Sequence, residues 1–351
     1  ADPEVRIKYA SKQARIANSW KKWIGENQGL ERTQGIAKKQ GLEAEFLERV
    51  NENPAWRQQY GDILRQFDKL YLEIKPYALT SAYFNEVVGR NTELLRITNF
   101  LNRVVKIYKD GGESAYEARK DQVYNYLESF YKYYEVSIDK AVFAALMEDY
   151  FNNVSGEYLG DYAMELVMAS GKKYDELAEK IFTQSIVADG NTLLDVIRKE
   201  KPAEVAKILE EDIAMRFGNS LSEAYYDNAQ VKYNTLNEQI DNLQRTYMKA
   251  LLEVFPERRF YPDANSTMRV HYGQAAGYEP KDGIYYQHQT YLKGVVAKYK
   301  PGDYEFDVPK KLLDLHATRD FGPYGENGKM PVCFLGSNHT TGGNSGSPAI
   351  D

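Results

Sequence analysis

From residue 2 to about residue 255, apolar side chains recur three and four positions apart, the spacing that gathers them on one face of an α-helix. Asp2 followed by Pro3 reads as a helix N-cap and first helical position. Val5, Tyr9, Ile16, Trp20, Trp23 and Ile24 then fall on one stripe at about 100° per residue, which predicts a face turned to a core. Two further series predict helices: Trp56, Tyr60, Ile63, Phe67, Leu70 and Ile74, then Phe84, Val87, Val88, Leu94, Phe100, Leu101, Val104 and Tyr108. Asn53-Pro54, Lys75-Pro76 and Gly111-Gly112 punctuate them. Helices are also expected over 114–134, 137–154, 158–169, 174–188, 192–199, 202–217 and 222–255. No repeat of fixed period organises them, so the pattern predicts an irregular bundle.

After FPERRFYPDANST the period changes to two. Met268, Val270 and Tyr272 alternate with Arg269 and His271, and the alternation resumes through GIYYQHQTYLKGVV. A brief helix opened by Pro309 is expected over 307–316, and MPVCFLG (330–336) reads as a compact buried strand. The expected fold class is therefore α+β, with a helical domain over 1–255 and a β-rich, incomplete domain over 256–351.

The composition narrows what such a chain can do. With 351 residues, 43% of them hydrophobic, there is material for two cores. Basic and acidic residues number 45 and 51 and are interspersed, so no basic stripe exists to neutralise nucleic acid, and no nucleic-acid partner is expected. The longest apolar run, AVFAALM at 141–147, is far below the roughly 20 residues of a membrane span. A single cysteine, Cys333, excludes an internal disulfide framework and a cysteine-based metal site, and no H-x-x-x-H or H-E-x-x-H spacing supports a zinc hydrolase. Neither metal nor cofactor is expected. The acidic and basic run at 200–212 reads as the solvated side of a helix, and the 29 tyrosines as packing rings with wet hydroxyls.

One stretch could carry chemistry. TGGNSGSP, at 341–348, follows the expected strand and has the small residues needed to present a hydroxyl beside bare backbone N–H groups. Ser345 would be the nucleophile, and the N–H groups of Gly343 and Ser345 would hold the oxyanion. The same residues also suit an ordinary loop. No pattern singles out His271, His288, His316 or His339 as the base.

FYPDANSTMR (260–269), VHYGQAAGYEPKDG (270–283), PGDYEFDVPKKL (301–312) and MPVCFLGSNHTTGGNSGSP together resemble the bacterial dipeptidyl peptidase 7 and 11 family, as does IKYASKQARIANSWKKWIGENQGL (7–30). The resemblance covers essentially the whole chain. It implies a serine exopeptidase of the chymotrypsin clan that releases dipeptides from peptide N-termini, with a helical domain inserted between two β-barrels. Residues 1–255 would be the cap and 256–351 part of the second barrel, with the catalytic histidine and aspartate upstream, so the chain reads as an inactive piece of a larger enzyme. The resemblance also implies an asparagine that binds the substrate amine, carried to Asn18. On the helical wheel the stripe lies roughly 140° to 240° from Asn18, which shares its face with Ser11, Ala14, Lys22 and Gly25. An amide oxygen can accept from an ammonium group, and Lys22 would oppose it.

Further implications are peptide substrates, a homodimeric intact enzyme, a location in the periplasm or at the cell surface of a Gram-negative bacterium, and a lean toward acidic residues before the cut. The rival expectation is a non-enzymatic helical interaction module whose β-rich tail is flexible.

Overall fold

The computed structural model describes residues 3–262, 267–303, 305–338, 340 and 346–350. The Asp2 cap lies outside them. Two compact units follow one another, residues 1–260 and 261–351.

The first unit is helical. It comprises α1 (Pro3–Arg32), α2 (Gly35–Glu52), α3 (Pro54–Tyr60), α4 (Ile63–Tyr83), α5 (Glu93–Glu117), α6 (Lys120–Tyr133), α7 (Val136–Asn153), α8 (Asp161–Ala169), α9 (Tyr174–Gln184), α10 (Gly190–Lys199), α11 (Pro202–Glu211), α12 (Ile213–Ala224) and α13 (Val231–Val254). Its larger core gathers Leu95 and Leu101 of α5, Phe143 and Met147 of α7, Ile181 of α9 and Phe217 of α12, all buried. α12 crosses α5 at Gly218, where a Cβ would stand 2.5 Å from Thr98 Oγ1, so only a bare backbone allows that approach. A smaller core joins Phe46 and Val50 of α2, Tyr60 of α3 and Ile63 of α4 to Leu251 and Val254 of α13. Because Ile74 meets Leu236 and Ile240 while Ile63 meets the far end of α13, α4 and α13 run antiparallel. A π-helical turn, Phe84–Asn91, follows α4 and another, Tyr225–Gln230, precedes α13, and the two turns are joined by Phe84 stacked on Tyr225 at 4.0 Å.

Several boundaries differ from the sequence reading. Pro76 does not end a helix but lies inside α4. The carbonyl it leaves without an N–H partner belongs to Leu72, which is exposed and can be solvated. The glycine pair does interrupt its helix as expected: at Gly112, with φ 69° and ψ −166°, the backbone leaves the helical region, and α5 is two helical segments joined at that kink. The helix expected over 202–217 is two helices, because Asp212 caps α12 by accepting from the N–H groups of Ala214 and Met215. Asp212 is consequently buried, unlike its charged neighbours in the 200–212 run, and it also accepts from Ser185 Oγ at 2.9 Å and Ile186 N at 2.9 Å.

The second unit contains β1 (Tyr278–Lys281), β2 (Ile284–Tyr286), β3 (Gln289–Tyr291), α14 (Leu292–Val296), α15 (Lys310–Thr318) and β4 (Pro331–Phe334). β1 pairs antiparallel with β2, and β3 with β4, giving two-stranded sheets. LKGVV, read with the alternating stretch, is the helix α14, and Met268–Tyr272 forms no strand. β4 forms where a strand was expected, but Val332, Cys333 and Phe334 are exposed because, among the described residues, only β3 pairs along it. The architecture is α+β, a large helical part followed by short antiparallel strands.

Candidate active site

Two places bear on the chemistry, and each lies within one unit. The first is α1. Among the described side chains its partly buried positions are Val5, Lys8, Lys12, Ala17 and Gly29, so Val5 is the one member of the apolar stripe that is partly covered. Lys8 Nζ stands 3.5 Å from Glu135 Oε2, and Lys12 Nζ is hydrogen-bonded to Glu93 Oε2. The bundle surface that meets this helix is therefore acidic, and lysines cover it with their methylene stems while their heads pair with carboxylates. The stripe is correspondingly left out of the core: Tyr9, Ile16, Trp20, Trp23 and Ile24 are exposed, Trp20 to 59%. This overturns the expectation of a buried face, since amphipathicity reports that a face will be covered but not by what.

Asn18 is exposed, as is every residue from 18 to 28. On its ridge one and two turns further lie Lys22 and Glu26, with Lys22 Nζ 3.5 Å from Glu26 Oε1. The cation expected to repel a substrate ammonium group is thus paired with a carboxylate. Both partners are well exposed, so the pair contributes little to stability but offsets the local charge.

Beneath Lys12 the bundle is anchored by a buried carboxylate. Asp139 of α7 accepts from Glu93 N and Leu94 N, each at 2.7 Å, and from Tyr134 Oη at 3.0 Å. It thereby caps the N-terminus of α5, whose own cap residue, Thr92, makes no side-chain cap bond. Burial pushes the Asp139 carboxyl up to about 6, against the pull of its hydrogen bonds.

The second place is the segment that leads into 341–348. Beyond β4, Leu335 N donates to the His288 carbonyl at 2.6 Å and Ala276 N to the Leu335 carbonyl at 3.2 Å. Ser337 N donates to the Gln274 carbonyl at 2.9 Å, while Gln274 N donates to Ser337 Oγ at 3.0 Å. Backbone bonds therefore hold this segment on two sides as far as Ser337. Gly343 and Ser345 lie outside the described residues; Gly346, just after them, has φ +85°, a conformation that glycine adopts without strain.

His288 lines a cavity of about 180 Å³ with Thr290 and Cys333. His316 sits in the last turn of α15, His271 is exposed and engaged in contacts, and His339 lies outside the described residues. A larger cleft of about 560 Å³ opens beside α8 and α12, where Arg216 stacks on Tyr162 at 3.9 Å among Glu157, Asp161, Glu223 and Asp227. Sequence reasoning did not foresee the cleft or the pairing of Lys12 with Glu93, because their residues come from separate elements and no spacing joins them.

Comparison with known proteins sets these features in a family. The Peptidase S46 family profile matches residues 1–351. The chain is 44% identical over 350 residues to an Asp/Glu-specific dipeptidyl-peptidase of Flavobacterium psychrophilum, and 33% identical over 356 residues to a dipeptidyl-peptidase 7 of Porphyromonas gingivalis. Each match takes in 100% of this chain and 48% of the relative. The structure is similar to that of Porphyromonas endodontalis DPP11 in complex with the dipeptide Arg-Glu, with a TM-score of 0.73 and 26% identity over 99% of this chain and 49% of that one. The chain spans about half the length of the curated relatives it matches. Among the described residues, no helix is long and apolar enough to cross a membrane.

Proposed function

Because this chain belongs to the peptidase S46 family, we propose that the protein it comes from is a serine dipeptidyl peptidase, releasing dipeptides from free peptide N-termini and preferring Asp or Glu beside the cut. The observation that carries this reading is the 44% identity, along the whole chain, to a relative named for that specificity, against 33% to a dipeptidyl-peptidase 7.

In this reading residues 1–255 cap the cleft and residues 256–351 contribute to the second barrel of a chymotrypsin-like enzyme, whose catalytic histidine and aspartate lie outside the 351 residues. Ser345 Oγ adds to the carbonyl carbon of the second substrate residue as the histidine takes its proton. The N–H groups of Gly343 and Ser345 hold the resulting oxyanion; one such donor lowers the barrier by about 3 kcal/mol. The protonated histidine returns the proton to the departing amine, and water then releases the dipeptide from the acyl-enzyme. Asn18 accepts from the substrate ammonium group, which limits removal to two residues at a time. Its exposure and the Lys22–Glu26 pair support this role. The intact enzyme is read as a homodimer of the periplasm or cell surface.

The test uses the full-length protein and dipeptidyl substrates with Glu, Asp or Leu before the scissile bond. Ser345→Ala should lower turnover by several orders of magnitude and abolish labelling by a fluorophosphonate probe. Asn18→Ala should weaken binding of free-amine peptides far more than of amine-blocked ones. Normal hydrolysis by Ser345→Ala removes the serine mechanism, and equal losses for both peptide classes remove Asn18 from the site. Faster cleavage after Leu than after Glu overturns the acidic preference.

A further inference from the structure

α1 runs 30 residues, about 45 Å at 1.5 Å per residue, and residues 18–28 are exposed throughout. At its C-terminal end it turns directly into α2, through Gln34 in a left-handed conformation at φ 53°. Toward the N-terminus it is tied to the bundle by charge: Lys12 to Glu93 of α5, and Lys8 to Glu135 just before α7. These pairs differ from the surface pairs along the same helix. The side chains of Lys12 and Glu93 are 18% and 14% exposed, whereas those of Lys22 and Glu26 are 69% and 57% exposed. Glu93 is itself fixed, since its backbone N–H is bound to buried Asp139 and its other carboxylate oxygen lies 3.4 Å from Arg96 Nη2. A rigid anchor in the bundle therefore meets α1 six residues, or roughly 9 Å, before Asn18.

We propose that the Lys12–Glu93 pair, supported by Lys8–Glu135, is a positioning device for substrate binding: it sets the place of Asn18 relative to the helical bundle. The inference rests on the reading of Asn18 as the acceptor for the substrate ammonium group. Lys12 and Glu93 touch no substrate and act only through the helix between them and Asn18. A helix is stiff along its axis, so the restraint at Lys12 reaches Asn18 with little loss, and residues 18–28 are themselves all exposed. Without the pair, α1 keeps its helix but pivots about its junction with α2, and Asn18 samples positions from which it cannot reach the ammonium group.

The experiment compares Lys12→Met, Glu93→Gln and the double variant in the full-length enzyme, each with and without Asn18→Ala, with thermal unfolding recorded for all. Each single variant should raise KM for free-amine dipeptidyl substrates about fivefold or more, with kcat within about twofold, because binding rather than the chemical step is disturbed. The double variant should be no worse than the worse single one, since both remove the same contact. In the Asn18→Ala background the extra rise in KM should vanish. An unchanged KM in both single variants overturns the inference, as does a rise of the same size in the Asn18→Ala background, which would place the pair's effect elsewhere. An Asn18→Ala enzyme with normal KM would instead overturn the reading of Asn18, and this inference with it. Glu93→Gln keeps the shape of the side chain and Lys12→Met keeps the covering stem, so one remains informative if the other unfolds.

Discussion

Asp139 and Glu93 are 46 residues apart in sequence, yet the carboxylate of the first receives the backbone N–H of the second at 2.7 Å, while Leu94 N–H occupies its other oxygen at the same distance. One side chain of α7 thus ends the first turn of α5. An asparagine there retains only one acceptor oxygen, and its NH₂ group would face a backbone donor. Asp139→Asn should therefore lower the stability of the chain by about 2 kcal/mol, measured by urea unfolding followed by far-UV circular dichroism.

The same carboxyl makes stability depend on pH. It is raised by burial to about 6 from an ordinary value of 3.8, so the folded protein binds this proton more tightly than the unfolded chain does. Between those two values the folded state carries more protons, and the contribution of Asp139 to stability falls as pH rises through about 4 to 6. The charged groups around it include Glu93, whose repulsion acts in the same direction. A series of melts across pH 4 to 7 should show a downward component in the native chain that is missing in Asp139→Asn; identical pH profiles for the two would refute it.

Gly218 tests the crossing of α12 over α5. A methyl group there would meet Thr98 Oγ1 at 2.5 Å, and that hydroxyl is already committed to the Leu95 carbonyl at 2.8 Å. Gly218→Ala gains helix propensity but overpacks the contact, and a net loss of about 1 to 3 kcal/mol is expected. A melting temperature equal to or above that of the native chain would show that the two helices separate easily.

Trp20 and Phe143 separate exposed from buried aromatic residues. Phe143 is fully buried between Phe182 and Phe217, with ring centroids 5.6 Å from each, and Phe143→Ala should cost about 3 to 5 kcal/mol. Trp20→Ala should change the stability of this 351-residue chain by less than about 0.5 kcal/mol, because more than half of that side chain already meets water. A large loss on removing Trp20 would mean that the stripe of α1 is covered within the chain after all.

The helices of the first unit were legible because burying one face imposes a period of 3.6, and that period survives in the letters. Their ends were less so. Asp212 could have been read as a cap from its type alone, but it stands in a run of charges that looks solvated, and only its bonds to Ser185 and Ile186, from a loop 26 residues away, explain its burial. Pro76 looked like a stop because proline lacks the N–H of a helical turn. The helix continues, and Leu72, whose carbonyl loses that partner, is an exposed residue.

The short strands were harder to read. An alternation of two residues requires one face to be covered, and β1, β2 and β4 are largely exposed, so their pattern carries little of the information that burial writes into a sequence.

For the candidate site, the sequence by itself determined the chemistry on offer: a serine among glycines at 345, and an asparagine at 18 on the face of α1 opposite its apolar stripe. Those properties are local, set by side-chain type and by the 100° step of a helix. Which face of α1 meets the bundle, and what fixes its position, was decided only by tertiary structure. An ion pair such as Lys12 with Glu93 joins residues 81 apart, and any of many lysines and glutamates could have formed it. Periodicity identifies a face that can be buried; the charge of the surface it meets determines which face is.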